Sequence, residues 1–132
     1  MRAVRDPLVP AAVLVASGVD LVVVGSAALM VYGELVDARD LDIVPSCQTP
    51  NLARLHEELA RISAQRLGPL AGRDIATVTT SFGPVDVLLE RGSLEFETLR
   101  ARASTIDVYG VAVLIASRDD AWRLRRRFKA AS

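Results

Sequence analysis

Three aspartates stand at positions where their carboxylates could act together. Asp40 and Asp42 are separated by a single leucine, and an isoleucine continues the alternation of acidic and apolar residues. On a β-strand, residues two apart lie on one face, about 7 Å apart at Cα, so both carboxylates would face one point above the sheet. Asp86 lies between two valines in a later apolar run and could supply a third carboxylate. The spacing predicts a cluster of acids on one sheet face.

Carboxylates clustered on one face repel one another unless a positive charge lies between them. Mg²⁺ suits such a site, because it takes hard oxygen ligands, keeps waters and completes its shell with substrate phosphates. We expect two Mg²⁺ ions, with Mn²⁺ as the alternative, held by Asp40, Asp42 and Asp86. One ion would activate an attacking oxygen and the other would hold the leaving phosphates. This arrangement predicts phosphoryl or nucleotidyl transfer.

A phosphate-binding segment is predicted upstream of these acids, at Gly25 and Ser26. The two residues follow an apolar, β-branched run and precede a stretch of helix formers. Free backbone N–H groups at the start of a helix favour anions, and a glycine removes the Cβ that would keep a ligand away. The serine adds a hydroxyl. A phosphate would fit this junction.

Composition limits the remaining chemistry. The 132 residues carry 16 basic and 16 acidic side chains, so the formal net charge is zero and any contact with nucleic acid must come from a local patch. Cys47 and His56 are each the single residue of their type, which excludes a disulfide framework and a Cys/His zinc site. The length predicts one minimal domain over residues 1–132. With 51% apolar residues, the domain could bury a surface against a partner or a second copy of itself.

The order of elements predicts an α/β (α+β) fold, in which helices flank a mixed β-sheet. Apolar periodicity and turn residues give the following elements: helix 8–16, strand 20–25, helix 27–32, a strand at 40–43 ended by Pro45, a helix to residue 62 with Thr49 as N-cap, strands 74–82 and 85–90 joined by Gly83-Pro84, helix 93–102, strands 105–109 and 111–116 around Gly110, and a last helix opened by a Ser117–Asp120 capping box. The strand, glycine, helix order at residues 20–32 is the first informative feature of this pattern.

The apolar N-terminal stretch raises the question of a membrane. Residues 7–33 contain one charge, Asp20, but this charge and the turn residues before it divide the stretch in two. A secretory signal ending near residues 16–18 is an alternative, which Asp6 and Pro10 disfavour. We therefore expect a cytoplasmic protein without a membrane contact.

The basic run at residues 123–129 allows two interpretations. Its five cations could hold RNA or a triphosphate, or they could be a solvated helix end favoured by the helix dipole. Trp122, just before the run, is interpreted as a core or interface anchor. His56 is interpreted as a packing residue and Cys47 as a small buried thiol.

The chain resembles the nucleotidyltransferase fold of the DNA polymerase β superfamily. That signature is a Gly-Gly or Gly-Ser pair, a helix, an Asp-x-Asp on the next strand and a distant third Asp. The matching residues here are Gly25, Ser26, Asp40, Asp42 and Asp86.

Segments 25–33 and 38–43 narrow the resemblance to the AbiEii-type and related small nucleotidyltransferases of toxin–antitoxin systems. Residues 113–125 are similar to that family's closing strand and last helix. The chain departs from the family pattern at three positions. Val36 stands where the family often has arginine, Ala38 where it has threonine, and Arg125 where it has a lysine.

The resemblance implies an enzyme that moves a nucleoside monophosphate from a triphosphate such as ATP to an acceptor hydroxyl. Gly25 and Ser26 would hold the β- and γ-phosphates, while Arg39 and Arg125 would neutralise the leaving pyrophosphate. Asp86 would also help to deprotonate the acceptor. RNA or tRNA, a protein or a small molecule are candidate acceptors, and a cognate antitoxin or a HEPN protein is a candidate partner.

Two alternatives stay open beside this implied activity. One is a catalytically silent module of the same fold that acts as a binding partner or antitoxin. The other is an antibiotic-modifying nucleotidyltransferase, which shares the chemistry but usually has further structure after the catalytic domain.

Overall fold

The computed structural model describes residues 6–70, 72–89 and 92–131, without the side chains of 92–94 and 126–131. The described residues form five helices and six strands. In chain order they are α1 (Val9–Ala16), β1 (Leu21–Val24), α2 (Gly25–Val31), β2 (Leu41–Pro45), α3 (Thr49–Ile62), β3 (Ile75–Thr80), β4 (Gly83–Leu88), α4 (Gly92–Arg102), β5 (Ser104–Val108), β6 (Val111–Ile115) and α5 (Arg118–Ala131).

The six strands form one mixed sheet in the order β3-β4-β2-β1-β6-β5. β1 pairs antiparallel with β2 and parallel with β6, and β2 pairs parallel with β4. The outer pairs, β3 with β4 and β5 with β6, are antiparallel hairpins. β1, in the middle of the sheet, is a short apolar run rich in valine and buried on both faces, as a strand covered by helices on both sides requires. The prediction of a mixed sheet flanked by helices is confirmed.

Each face of the sheet has its own apolar core. One face, which carries Leu21 and Ile43, packs against α1 and α3. The opposite face, which carries Val24 and Val44, packs against Phe96 of α4 and Leu124 of α5. Side chains alternate along a strand, so Asp42 of β2 lies on the same face as Val44. The acids therefore lie on the α4/α5 side of the sheet.

The start of α3 differs from the prediction by one residue. Thr49 is the first helical residue rather than the N-cap, and no side chain caps this helix end. Asn51 holds the helix start in place instead. Its Nδ2 donates to the carbonyls of Asp20 (2.9 Å) and Ser46 (2.8 Å), and its Oδ1 accepts from the Asp20 amide (2.8 Å). One amide side chain thus joins α3 to the segments beside β1 and β2.

The turn between β3 and β4 also differs from the prediction. Gly83 and Pro84 are the first residues of β4, and Ser81 and Phe82 form the turn. The Thr80 hydroxyl donates to the Gly83 carbonyl (2.6 Å) and accepts from the Phe82 amide (3.1 Å). A threonine side chain therefore closes the hairpin tightly enough for the glycine to join the strand.

Helix α2 begins at Gly25, two residues before the predicted start, so Gly25 and Ser26 form its first turn. In the part of the chain that the structure describes, none of the helices combines the length and the apolar character needed to cross a membrane.

Candidate active site

Asp42 and Asp86 lie side by side on neighbouring parallel strands. The register pairs Asp42 of β2 with Asp86 of β4, and on its other side Asp42 pairs with Val24 of β1. Cα atoms paired across a sheet are about 5 Å apart, so two carboxylates on one face at paired positions must be in contact range. The fold brings these two predicted residues together from positions far apart in the sequence.

The closeness of the two acids changes the acidity of Asp42. Burial raises the pKa of Asp42 from 3.8 to about 7, assisted by the charge of Asp86, a hydrogen bond shared with Asp86 and the charge of Asp40. Near neutral pH, the pair therefore retains a proton that separate carboxylates would have lost. A cation between the two carboxylates would offset the same repulsion that the proton offsets.

Gly25 leaves the space that Asp42 occupies. Its φ of +65° lies in the left-handed region, where a residue with a Cβ is strained. A Cβ built on Gly25 would overlap the Oδ2 atom of Asp42. A glycine is therefore required at this position, because it lets the backbone at the start of α2 approach the Asp42 carboxylate directly.

A cleft of about 260 Å³ opens above this pair. Its walls bring together five of the predicted site residues, with one further acid, Asp37. The lining residues are Ser26, Asp37, Arg39, Asp40, Asp42 and Asp86. Five residues predicted for phosphate and metal binding thus line the same solvent-open cleft at the end of β1.

Asp40 is placed differently from the expectation that it shares a strand with Asp42. It precedes β2 by one residue and is exposed, whereas Asp42 is inside the strand and partly buried. The described chain contains no group of three or more Asp, Glu, His or Cys side chains already arranged to hold an ion. Asp42 and Asp86 are the acids in direct contact, and Asp40 lies at the rim of the same cleft.

Arg39 contributes the cation of the cleft wall. Its Nε donates to the Asp37 carboxylate, with N–O distances of 3.1 and 3.0 Å to the two oxygens. Both side chains are well exposed, and an exposed ion pair contributes only about 0.2 to 1 kcal/mol. Arg39 can therefore exchange Asp37 for another anion at small cost.

Arg125 reaches the cleft from α5. Its Nε donates to the Ser26 hydroxyl at 2.9 Å, a contact between residues 99 positions apart. The guanidinium also lies over the ring of Trp122, with its central carbon 5.7 Å from the ring centroid. One of the five cations in the basic run is thereby directed to the predicted phosphate site. Arg123, in contrast, pairs with Glu95 of α4 at 3.1 Å.

The position of α5 depends on a buried carboxylate that the sequence did not single out for this purpose. Asp120 accepts two hydrogen bonds from Arg102 of α4, at 2.9 and 2.8 Å, and a longer one from Arg123 at 3.5 Å. Burial opposes ionisation of Asp120, but these bonds and charges, with the Ser117 hydroxyl, hold its pKa below the usual value. Ser117 accepts from the Asp120 amide at 3.2 Å, which confirms the serine half of the predicted capping box.

Asp120→Ala is expected to lower the free energy of unfolding by about 1 to 3 kcal/mol, because it leaves two arginines without their shared acceptor. Urea unfolding at pH 7 measures the change. Asp119→Ala removes an exposed carboxylate from the neighbouring position and is the control, with an expected change below about 0.5 kcal/mol. Equal effects of the two variants would contradict the structural role of Asp120. Since the pKa is lowered, this contribution is present above pH 3.8 and is lost as the pH falls below it.

The far end of α2 is also tied to the start of α5. The Tyr32 hydroxyl donates to the Ala116 carbonyl at 2.8 Å, and Arg118 forms an ion pair with Glu34. No local sequence pattern indicates this partner of Tyr32, because the two residues are 84 positions apart. The two helices that carry Ser26 and Arg125 are thus connected at both ends of α2.

The donor set of this site fits a divalent cation. Asp42, Asp86 and Asp40 offer carboxylate oxygens, the ligands that Mg²⁺ prefers, and the charges of Asp86 and Asp40 add to burial in raising the pKa of Asp42. The cleft is open enough to admit substrate phosphates as further ligands. The predicted assignment of these three acids to a metal remains a prediction.

Comparison with known proteins supports the fold. No family model and no curated protein matches the chain. A solved structure from Thermotoga maritima, provisionally assigned as a nucleotidyltransferase, is similar to it with a TM-score of 0.61 and 12% sequence identity. The similarity covers 86% of this chain and 76% of the other. The chain therefore has a nucleotidyltransferase-like fold.

Proposed function

We propose that this protein is a magnesium-dependent nucleotidyltransferase, which moves a nucleoside monophosphate from a nucleoside triphosphate to an acceptor hydroxyl. The observation that carries the proposal is the contact between Asp42 and Asp86 on adjoining strands, directly beside the Gly25-Ser26 turn. Within a nucleotidyltransferase-like fold, these residues put two acids and a phosphate-binding turn in one cleft.

Asp42 and Asp86, with Asp40 at the rim, are the residues that would hold Mg²⁺. When bound, the metal would neutralise phosphate charge and lower the pKa of the attacking hydroxyl. Ser26 and the backbone at Gly25 would contact the phosphates next to these acids. Arg39 and Arg125 line or reach the same cleft and would balance the charge that develops on the leaving group.

In the proposed reaction, the acceptor oxygen forms a bond to the α-phosphorus as the bond from that phosphorus to the α,β-bridging oxygen breaks. Pyrophosphate leaves with the electron pair of the broken bond. The proton of the acceptor hydroxyl passes to the carboxylate of Asp86, which can return it to solvent through the open cleft. The nucleoside monophosphate ends on the acceptor.

The order of strands gives the cleft a direction. Across the sheet the structure places Ser26 after β1, then Asp42 on β2, Asp86 on β4 and Thr77 on β3, which pairs with Asp86. Thr77 is exposed, so the face beyond Asp86 is open. The triphosphate would lie toward Ser26 and the acceptor would approach over β3. Apart from Thr77, this face presents the side chains of Ile75 and Thr79 to solvent.

The class of acceptor and the biological role follow from the resemblance in the sequence. We propose RNA, with tRNA as one component, as the first acceptor to test, and the toxin of a toxin–antitoxin pair as the role. A cytoplasmic location belongs to the same proposal.

The test is a Mg²⁺-dependent transfer assay with each of the four α-labelled nucleoside triphosphates, using total RNA and the protein itself as acceptors. Wild type should transfer label, and Asp86→Asn should lower the rate at least about 100-fold, because it removes a metal ligand and the proton acceptor. Glu57→Gln removes one exposed carboxylate of α3 and should leave the rate unchanged.

Label that vanishes in Asp86→Asn but not in Glu57→Gln would support the proposal and identify the nucleotide. No transfer under any condition, together with no Mg²⁺-dependent nucleotide binding, would overturn it and favour the silent binding module.

A further inference from the structure

The guanidinium of Arg125 is held from two directions. Ser26 accepts a hydrogen bond from Nε at 2.9 Å, and the ring of Trp122 lies against the guanidinium, 5.7 Å from its central carbon to the ring centroid. Trp122 is partly buried and packs against the main apolar core of the sheet, so its ring has a fixed position. A long, flexible arginine side chain is therefore confined beside the candidate phosphate site.

We propose that Trp122 is a positioning residue that fixes Arg125 at Ser26 and thereby sets the affinity for the triphosphate. The inference rests on the proposed function, because it assigns Arg125 to the substrate. It goes beyond that function by giving a role to a tryptophan that the sequence analysis interprets as a core or interface anchor.

The physical basis is the attraction between a cation and an aromatic face. When an arginine lies within about 6 Å of a ring centroid, this attraction raises the equilibrium constant for the stacked over the unstacked position by about 2- to 5-fold. An arginine already confined at the site also loses less side-chain freedom when a phosphate binds. The hydrogen bond to Ser26 uses Nε, and the two Nη groups carry the remaining donors of the fork.

A purely structural role for Trp122 makes a different prediction. If the ring only fills space in the core, leucine should replace it about as well as phenylalanine, and any effect should follow the free energy of unfolding. If the ring positions Arg125, phenylalanine should keep the function because it keeps the aromatic face, while leucine should not.

The first experiment uses wild-type fluorescence, because Trp122 is the single tryptophan of the chain. Inorganic pyrophosphate with Mg²⁺ is the probe, so the readout does not depend on transfer. We expect Trp122 emission to change when pyrophosphate binds the Nη groups of the stacked guanidinium and alters the charge next to the ring, and Arg125→Gln to abolish that change. An emission response of the same size in Arg125→Gln would overturn the proposal.

The second experiment compares Trp122→Phe with Trp122→Leu. We expect Trp122→Leu to raise the KM for the triphosphate and the Kd for pyrophosphate about 2- to 5-fold, with kcat unchanged, and Trp122→Phe to stay near wild type. Thermal unfolding of both variants monitors stability, and the fluorescence experiment decides the question if Trp122→Leu does not fold.

The outcomes separate this inference from the proposed function. If no nucleotide is transferred but pyrophosphate binding weakens only in Trp122→Leu, the positioning role stands and the enzyme assignment fails. If transfer is observed and both Trp122 variants behave alike, the positioning role fails and the enzyme assignment stands.

Discussion

Asp42→Asn is expected to give a protein that is more stable than wild type at pH 8 and unable to transfer a nucleotide. In wild type, burial and the neighbouring carboxylates raise the pKa of Asp42 to about 7, so ionising this residue in the folded state costs free energy. Asparagine has a similar shape, carries no charge and can still donate a hydrogen bond to Asp86. The substitution therefore removes this cost in free energy together with a proposed metal ligand.

The sign of the pH dependence follows from where the proton is held. The pKa of Asp42 is 3.8 in an unfolded chain and about 7 in the folded one. Between pH 3.8 and about pH 7 the folded state therefore binds more protons than the unfolded chain. Wild-type stability should fall as the pH rises from about 4 to about 7. Above about pH 7 the folded protein carries the full free-energy cost of an ionised Asp42. Asp42→Asn should therefore raise the free energy of unfolding there by about 1 to 3 kcal/mol.

Urea unfolding at pH 5 and pH 8 in the presence of a chelator measures this effect. Asp40→Asn is the matched control, because it removes the same charge from the same cleft at an exposed position. Both variants should lose transfer at least about 100-fold, but only Asp42→Asn should gain stability beyond about 0.5 kcal/mol. Added Mg²⁺ should stabilise wild type and not Asp42→Asn. A destabilised Asp42→Asn at pH 8 would contradict this account of the acid pair.

Gly25→Ala is expected to destabilise the protein by about 2 to 4 kcal/mol and to lower transfer at least about 100-fold. Two costs add at this position. A residue with a Cβ at a φ of +65° is strained by about 1 to 2 kcal/mol, and the new methyl group would overlap Oδ2 of Asp42. Asp42 must then shift away from the start of α2, which disturbs the acid pair that the proposed site requires.

Gly33→Ala separates the two costs. Gly33 has a φ of +83°, and a Cβ there would meet nothing within 4 Å. It should show the backbone strain alone, about 1 to 2 kcal/mol, with transfer near the wild-type rate. A double-mutant cycle adds a second check, because Gly25→Ala should cost less when Asp42 is already alanine. Equal stability losses at the two glycines with Asp42 present, or an unchanged cost of Gly25→Ala with alanine at position 42, would refute the steric argument.

Much of the fold could be predicted because local signals agree with tertiary demands. The β-branched run before Gly25 is too apolar for a surface helix, and the apolar positions of α3 recur at helical spacing. These local signals do not predict which strands pair. No local sequence signal predicts that β1 lies between β2 and β6, because the strand order depends on which apolar faces the helices cover.

The site divides in a similar way. Gly25, Ser26, Asp42 and Asp86 could be selected because their residue types and spacing together fit phosphate and metal chemistry. The displacement of Asp40 from the strand could not, since the extent of β2 is decided by its pairing with β1 and β4. The contact between Trp122 and Arg125 was also out of reach, because one turn of helix allows many side-chain directions and only the packed core selects one.

The central position of β1 affects the order in which a growing chain can complete this cleft. β1 is made before β6, which is one of its two neighbours in the sheet. Ser26 cannot form its hydrogen bond with Arg125 until the helix after β6 has also been made. During synthesis the acids and the glycine turn emerge from the ribosome first and the arginine last among them. A nascent chain that has not passed residue 125 holds the carboxylates without this cation, so the proposed phosphate site is complete only after α5 has been made.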